Sequence, residues 1–504
     1  MYSRLAPRVT FFAVLVFVSM AAFATTPVVI VVSPANNSQT TSPVNFVATA
    51  TSPDCADGIS AMRIYSAPYV NAYTVAGGQM NTFINLTPGK YNTVVVAWDA
   101  CGGVATADVT ITTTAEAQPG GFVYTANTDY WSGDTANFVQ GFSIVAGNGA
   151  LAPILQGPVK ANVAPYSVAS DEGGYRLYVG DYVSGDVFAY FINRSNGDLT
   201  PVPGSPFPVD RSVSAVAVHP SGKLIFAARD EQAAGDGVAV FQLQSNGSLT
   251  PAAGSPYATQ IGPKALVVDP SGKYLYVADF AEYVDSVNRD YIDAFEINES
   301  SGTLTPVAGS PFPIPVASNC TYGAANATDI IDLAGTNVYT ADSWMDSISG
   351  FAIAGSSGTL TDMAGSPWAD EGGCVNPPDC SSCNLNPSSL AIDGTGKFLY
   401  GLNSAASVWN IAIYSIGTNG ALTFVKYAAN QEAGCFGGPI RMDSTGNYLY
   451  TSACAGVPDG YVGLAGFSIN HITGDLTELP TSPYTYVMNQ PTPVPVLQSF
   501  TVTP

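Results

Sequence analysis

The sequence predicts an all-β protein: an N-terminal β-sandwich followed by a seven-bladed β-propeller closed by its C-terminal strand. Three observations predict it. First, one signal recurs seven times, as Leu151-Ala152-Pro153, Leu199-Thr200-Pro201, Leu249-Thr250-Pro251, Leu304-Thr305-Pro306, Leu360-Thr361, Leu422-Thr423 and Leu476-Thr477, at spacings of 48 to 62 residues. Second, a strand of the type YRLYVGD, KLIFAAR, KYLYVAD, TNVYTAD, KFLYGLN or NYLYTSA precedes the later copies. A four-stranded unit of this length, repeated radially, makes a propeller. Third, charged residues are only 11% of the chain while Gly (50) and Pro (36) abound, which suits short strands and tight turns rather than disorder.

Residues 263–313 show the unit most clearly. ALVVD, KYLYVAD, YIDAFEI and TLTPVAG are four strands, with Pro-Ser-Gly and Ser-Ser-Gly at two of the turns. Most copies end in Gly-Ser-Pro, as at Gly204-Ser205-Pro206 and Gly309-Ser310-Pro311. The first copy begins at FVYTAN with no strand before it. The C-terminal PTPVPVLQSFTVTP alternates in a strand-like way and is expected to supply that strand, closing the ring and removing its edges; a disordered tail is the alternative.

Residues 1–24 read as a signal peptide. Arg4 and Arg8 precede an apolar run, and Ala22-Phe23-Ala24 offers a small-residue cleavage site. The run is shorter than the ~20 residues of a membrane span. A secreted protein, extracellular or periplasmic, is expected, with no membrane span, and as a monomer. Residues 25–114 form a separate strand-rich unit, 115–121 a linker and 122–504 the propeller. The net charge of −22, from 38 acids and 16 bases, argues against nucleic acid and anionic membranes as partners. A carbohydrate, a small polar ligand or a surface protein fits better.

With eight cysteines in an oxidising compartment, disulfides are expected throughout. Cys55 and Cys101 are the N-terminal unit's only pair. Cys435–Cys454 is the preferred pairing in the propeller. Cys320, Cys374, Cys380 and Cys383 allow three pairings.

The register assigns the candidate site. Asn127, Asp181, Arg229, Asp279, Asp342, Asn403 and Ala453 end the second strands, near the expected channel mouth. Arg229, between blades carrying Asp181 and Asp279, predicts an ion-pair cluster. The loops that follow hold Trp131, Tyr182, Tyr283 and Trp344, which can stack on sugar faces. Lys264 and Arg441, in first strands, are candidates for an anionic ligand. His219 and His471 read as a turn and an exposed-hairpin residue, so neither a His-based triad nor a His-rich metal site is expected. No cofactor is implied. Oxygen-rich loops can hold Ca²⁺, but none has the EF-hand spacing.

Two resemblances follow from these residues. The strands PVVIVVS, VNFVATA, YNTVVVAWD and TADVTITT, with Trp98 in a late core strand, resemble a bacterial immunoglobulin-like module. The phrases PSGKYLYVAD, AFEINESSGTLTPV and GSPFP resemble the lactonase-type seven-bladed propellers, which include 6-phosphogluconolactonase, over residues 122–504. That resemblance implies hydrolysis of a sugar lactone. Its Arg-His after Gly-Pro falls on Lys264 and Ala265, and its Glu after the second strand falls on Phe280. Only a cation remains of the constellation. Three functions therefore stand: a non-catalytic binding protein using the acidic, aromatic channel face; a lactone or sugar-ester hydrolase in which Asp181 or Asp279 activates water and Lys264 or Arg229 holds the oxyanion; and a structural surface platform.

Overall fold

The computed structural model describes residues 26–504 except 42–43, 68–69, 85, 88, 115–119, 129–136, 161–163, 232–234, 261, 280–289, 316–326, 344–346, 370–386, 406–407, 429–437, 454–460 and 488–495. The chain divides into two units, Met1–Ala117 and Gln118–Pro504.

In the first unit, alternation of apolar and polar residues puts one face of each strand inward, as in Val44–Thr51. Val28–Ser33, Val44–Thr51 and Gln79–Ile84 make a three-stranded sheet. Ser38–Thr41, Val104–Thr114, Gly89–Asp99, Ile59–Ala67 and Val70–Ala76 make one of five. Both sheets feed one core containing Phe46, Met62, Ile64, Met80, Val95 and Ile111. Trp98 belongs to Gly89–Asp99, but its neighbours Val95 and Ala97 fill the core. Trp98 itself is half-buried, with the Arg63 guanidinium 5.3 Å from its ring centre. Cys55 and Cys101 are bonded, as their isolation in this unit predicted.

In the second unit seven antiparallel sheets follow one another among the described residues. The inner strands, from the second blade on, are Pro165–Ser170, Val213–Val218, Pro263–Val268, Ala327–Leu333, Pro387–Ile392 and Ile440–Met442. The first blade takes its inner strand from the C-terminus: Val496–Thr503 pairs antiparallel with Phe122–Thr128, Val502 opposite Val123. Each inner strand packs on the next, and Val496–Thr503 touches both Ile440–Met442 and Pro165–Ser170. The ring is thus closed by the tail.

The repeated residues have repeated roles. Second-strand tyrosines are buried and donate to a glycine carbonyl in the outer hairpin of the following blade: Tyr124 to Gly197 at 2.7 Å, Tyr339 to Gly420 at 2.6 Å and Tyr400 to Gly474 at 3.1 Å. Gly197 has φ +80°, and a Cβ there would lie 2.7 Å from the Phe122 ring, so the hairpin needs glycine twice over. Apolar clusters likewise straddle blade pairs, for example Tyr276 of the fourth with Val338 and Phe351 of the fifth.

The Gly-Ser-Pro motif also has a local cause. Where the outer strand breaks, the serine hydroxyl accepts from the third strand: from Ala189 N at 3.0 Å (Ser205), Val240 N at 2.9 Å (Ser255), Ala294 N at 2.9 Å (Ser310) and Gly350 N at 2.9 Å (Ser366). These hydroxyls replace missing ladder bonds.

Asp269, Asp393 and Asp443 close the first hairpins by accepting backbone N–H groups, such as Tyr274 N on Asp269 at 2.6 Å. His219 occupies the same slot. Its Nδ1 accepts from Ser221 N at 3.1 Å, and its Nε2 lies 2.8 Å from the Gly272 carbonyl, which makes Nε2 the protonated nitrogen. His471 bridges Asp393 and Asn447 at 3.0 and 3.1 Å. Among the described residues no helix is long and apolar enough to cross a membrane.

Candidate functional site

Of the residues expected to end the second strands, all but the half-buried Arg229 are buried, and Asn127, Asp181, Asp342 and Asn403 are held by their own blades. Asp181 accepts from Ala164 N at 2.6 Å, Val183 N at 3.0 Å and Ser184 N at 2.8 Å. Asn127 donates to the Thr125 hydroxyl at 2.8 Å, and Asn403 to Asn410 at 2.8 Å. Asp342 accepts from the Thr340 and Ser349 hydroxyls. Ala453 is also buried. In the second to fifth blades the last residue of the second strand is paired with the start of the inner strand, as Asp181 is with Pro165, which encloses its side chain with backbone.

Arg229 corrects one expectation. It forms no ion pair with Asp181 or Asp279; it donates to the carbonyls of Val209 and Gly235, both at 3.1 Å. Burial and the neighbouring Arg211 hold its guanidinium below the usual arginine range. The ion pairs form one register step away. Arg211 bonds Asp236 at 3.0 Å and Glu231 at 3.1 Å, and Lys264 bonds Asp230. Asp236 also accepts from Gly262 N at 3.2 Å, which ties the approach to Lys264 onto the third blade.

The Lys264–Asp230 pair is the centre of the most developed cluster. Lys264 is the second residue of the fourth blade's inner strand, and Asp230 follows the third blade's second strand. The Asp230 side chain is fully buried, whereas 24% of the Lys264 side chain remains exposed. Beside them Tyr166 and Tyr182 of the second blade are partly exposed, with ring centres 5.0 Å apart. Burial raises both hydroxyl pKa values; Asp230 adds to the rise at each, while Lys264 opposes it at Tyr182. All these groups lie where inner strands begin and second strands end, which is one end of the channel. Chemically the cluster offers an ammonium with donors to spare, two ring faces and phenolic hydroxyls. Asp230 is shielded from water and committed to Lys264, so as a general base it is badly placed.

A second group lies in the fourth and fifth blades. Asp279, Asp290 and Asp293 are buried together. Asp293 accepts from Gln260 N at 2.7 Å. Burial, with Asp293 and Asp290 nearby, raises the Asp279 pKa well above the usual carboxylate range. Burial likewise raises that of Asp342 to about 8. Among the described residues no set of His, Cys, Asp and Glu has the arrangement to hold a metal ion.

Arg441 bonds Asp329 at 3.0 Å and the Ser389 hydroxyl at 2.9 Å. Of the other sequence candidates, Trp131, Tyr283, Trp344, Cys320, Cys374, Cys380, Cys383, Cys435 and Cys454 lie outside the described residues, as does Phe280. Sequence reasoning missed Tyr166, Arg211 and Asp329, and took Asp230 and Asp236 only as the ends of an acid-rich loop rather than as ion-pair partners. The signal for Asp230 was available, since it aligns with Phe280 and Tyr182, the first residues after their second strands.

Comparisons with known proteins agree with the fold. Residues 197–320 match the family model described as "Lactonase, 7-bladed beta-propeller". No curated protein matches. Among solved structures, a candidate 6-phosphogluconolactonase from Bacteroides fragilis is similar, with 19% identity and a TM-score of 0.55 over 77% of this chain and 99% of that one. A periplasmic gluconolactonase from Pseudomonas aeruginosa is similar at 15% identity and a TM-score of 0.55, over 76% and 99%. At such identities the likeness is one of fold, and residues 118–504 carry the fold of the lactonase-type seven-bladed β-propellers.

Proposed function

We propose that the protein is exported and that its propeller is a non-catalytic binding module. Its ligand is a small polyhydroxylated molecule, taken at the channel end formed by the second, third and fourth blades. One observation carries the reading: the ammonium of the partly exposed Lys264 side chain is held by buried Asp230 beside the Tyr166–Tyr182 ring pair. Tyrosine rings suit the apolar face of a sugar, and an oriented ammonium suits its oxygens. The immunoglobulin-like reading of the first unit makes that unit a spacer or contact surface.

A lactone hydrolase is the second reading. It is supported by the family match, which spans Asp230, Lys264 and Asp279, and by the gluconolactonase of similar fold. In it Lys264 holds the developing oxyanion. Against it stand Ala265 at the position of the family's histidine and the enclosure of Asp230.

Calorimetric titration of the protein with monosaccharides and aldonolactones tests the proposal. Binding weakened about tenfold by Tyr182→Ala, equivalent to about 1.4 kcal/mol, supports it. Absence of binding across both classes overturns it and favours the surface platform.

A further inference from the structure

Arg441 has a geometry that a structural ion pair does not need. It sits on the seventh blade's inner strand, yet its Nη1 reaches Asp329 on the fifth blade at 3.0 Å and Ser389 on the sixth at 2.9 Å. A side chain that passes from the seventh blade to the fifth must cross the channel edge of the sixth. The guanidinium therefore lies along the channel wall. Nη1 makes a third bond, to its neighbour's Ile440 carbonyl at 2.9 Å.

The partners are saturated and the arginine is not. Asp329 accepts from the Ser389 hydroxyl at 2.6 Å, Leu390 N at 3.1 Å and Ile330 N at 3.0 Å besides Arg441. Ser389 also accepts from Ile440 N at 3.1 Å. Neutral donors thus disperse much of the Asp329 charge. The Arg441 Nε and Nη2 donors have no hydrogen-bond partner among the described residues, and 37% of the side chain is exposed against 12% for Asp329. A pinned guanidinium with one edge open is preorganised for a planar, two-oxygen acceptor.

We propose that Arg441 is an anion-binding residue of the channel, and that its ligand carries a carboxylate. One cation beside Asp329, in a chain of net charge −22, favours a singly charged acceptor over a dianion such as phosphate. The site belongs to the fifth, sixth and seventh blades and is independent of the Lys264 cluster.

The test is titration of the full protein with acetate and with propionate, using acetamide as the uncharged control. Both carboxylates should bind and acetamide should not. Arg441→Gln should weaken both at least tenfold. Arg441→Lys keeps a charge for Asp329 and loses the fork, so it should weaken both several-fold; it also carries the test if the glutamine variant does not fold. The paired Lys264→Gln, Asp230→Asn variant should bind acetate as the parent does. The proposal is overturned if neither carboxylate binds, or if binding is unchanged in the folded Arg441 variants.

Discussion

The Tyr450 hydroxyl donates at 2.6 Å to the carbonyl of Gly149, a residue 301 positions earlier in the chain. This bond crosses the seam of the ring from the seventh blade to the first, and it repeats what Tyr124, Tyr339 and Tyr400 do within the ring. Around it Tyr450, Leu464 and Tyr484 pack with Val123, Phe142 and Phe500. Tyr450→Phe keeps that packing and leaves the buried Gly149 carbonyl without its donor. A loss of about 1–2 kcal/mol is expected in urea unfolding, and no change would show that water replaces the hydroxyl.

The buried acids of the fourth and fifth blades give a pH dependence with a definite sign. Asp279 and Asp342 have folded pKa values raised above the ordinary 3.8, the latter to about 8. The folded state therefore holds protons that the unfolded chain has released. The stability from these groups is complete below about pH 4 and is lost as pH rises towards 8. Melting temperatures from pH 5 to 8 should fall, and Asp279→Asn should flatten the decline. A parent profile that rises across this window would contradict the assignment.

Lys264→Ala leaves Asp230 charged and enclosed. The expected cost is about 3 kcal/mol, the low end for a broken buried pair because 24% of the lysine side chain is exposed. Lys264→Gln with Asp230→Asn keeps a neutral hydrogen bond and should cost about 1 kcal/mol. If the single and double variants unfold together, the two residues are not coupled.

The Cys55–Cys101 bond closes a 46-residue separation. In the chain-entropy picture it contributes about 4 kcal/mol. Replacing both cysteines by alanine should lower the unfolding transition of the first unit, read from exchange protection of Val95 and Ile111. Unaltered protection would contradict that contribution.

The fold was legible because it is repeated. Leu-Thr-Pro, the Tyr-Leu-Tyr strands and Gly-Ser-Pro each perform one packing or hydrogen-bonding task in several blades, and repetition separates such signals from chance. Even the closing strand could be read, since FVYTAN lacked a neighbour that the C-terminal alternation could supply. The site was less legible, because a one-residue step along a strand end reverses its meaning. Arg229 looked like the centre of an ion-pair cluster, yet it donates only to backbone carbonyls, and Asp230 beside it holds the cation. Asp329 and Ser389 were invisible for a different reason. They act on the next blade, through Leu390 N and Ile440 N, so nothing in their own strands marks them.

The most direct measurement follows binding and ring opening together. Glucono-δ-lactone and glucitol are titrated into the protein calorimetrically, while proton release reports lactone hydrolysis against the uncatalysed background. A non-catalytic binding module predicts saturable heat, weakened about tenfold by Tyr182→Ala, with hydrolysis at the background rate. Protein-dependent hydrolysis that disappears in the Lys264→Gln, Asp230→Asn variant would contradict it and make the propeller a lactonase.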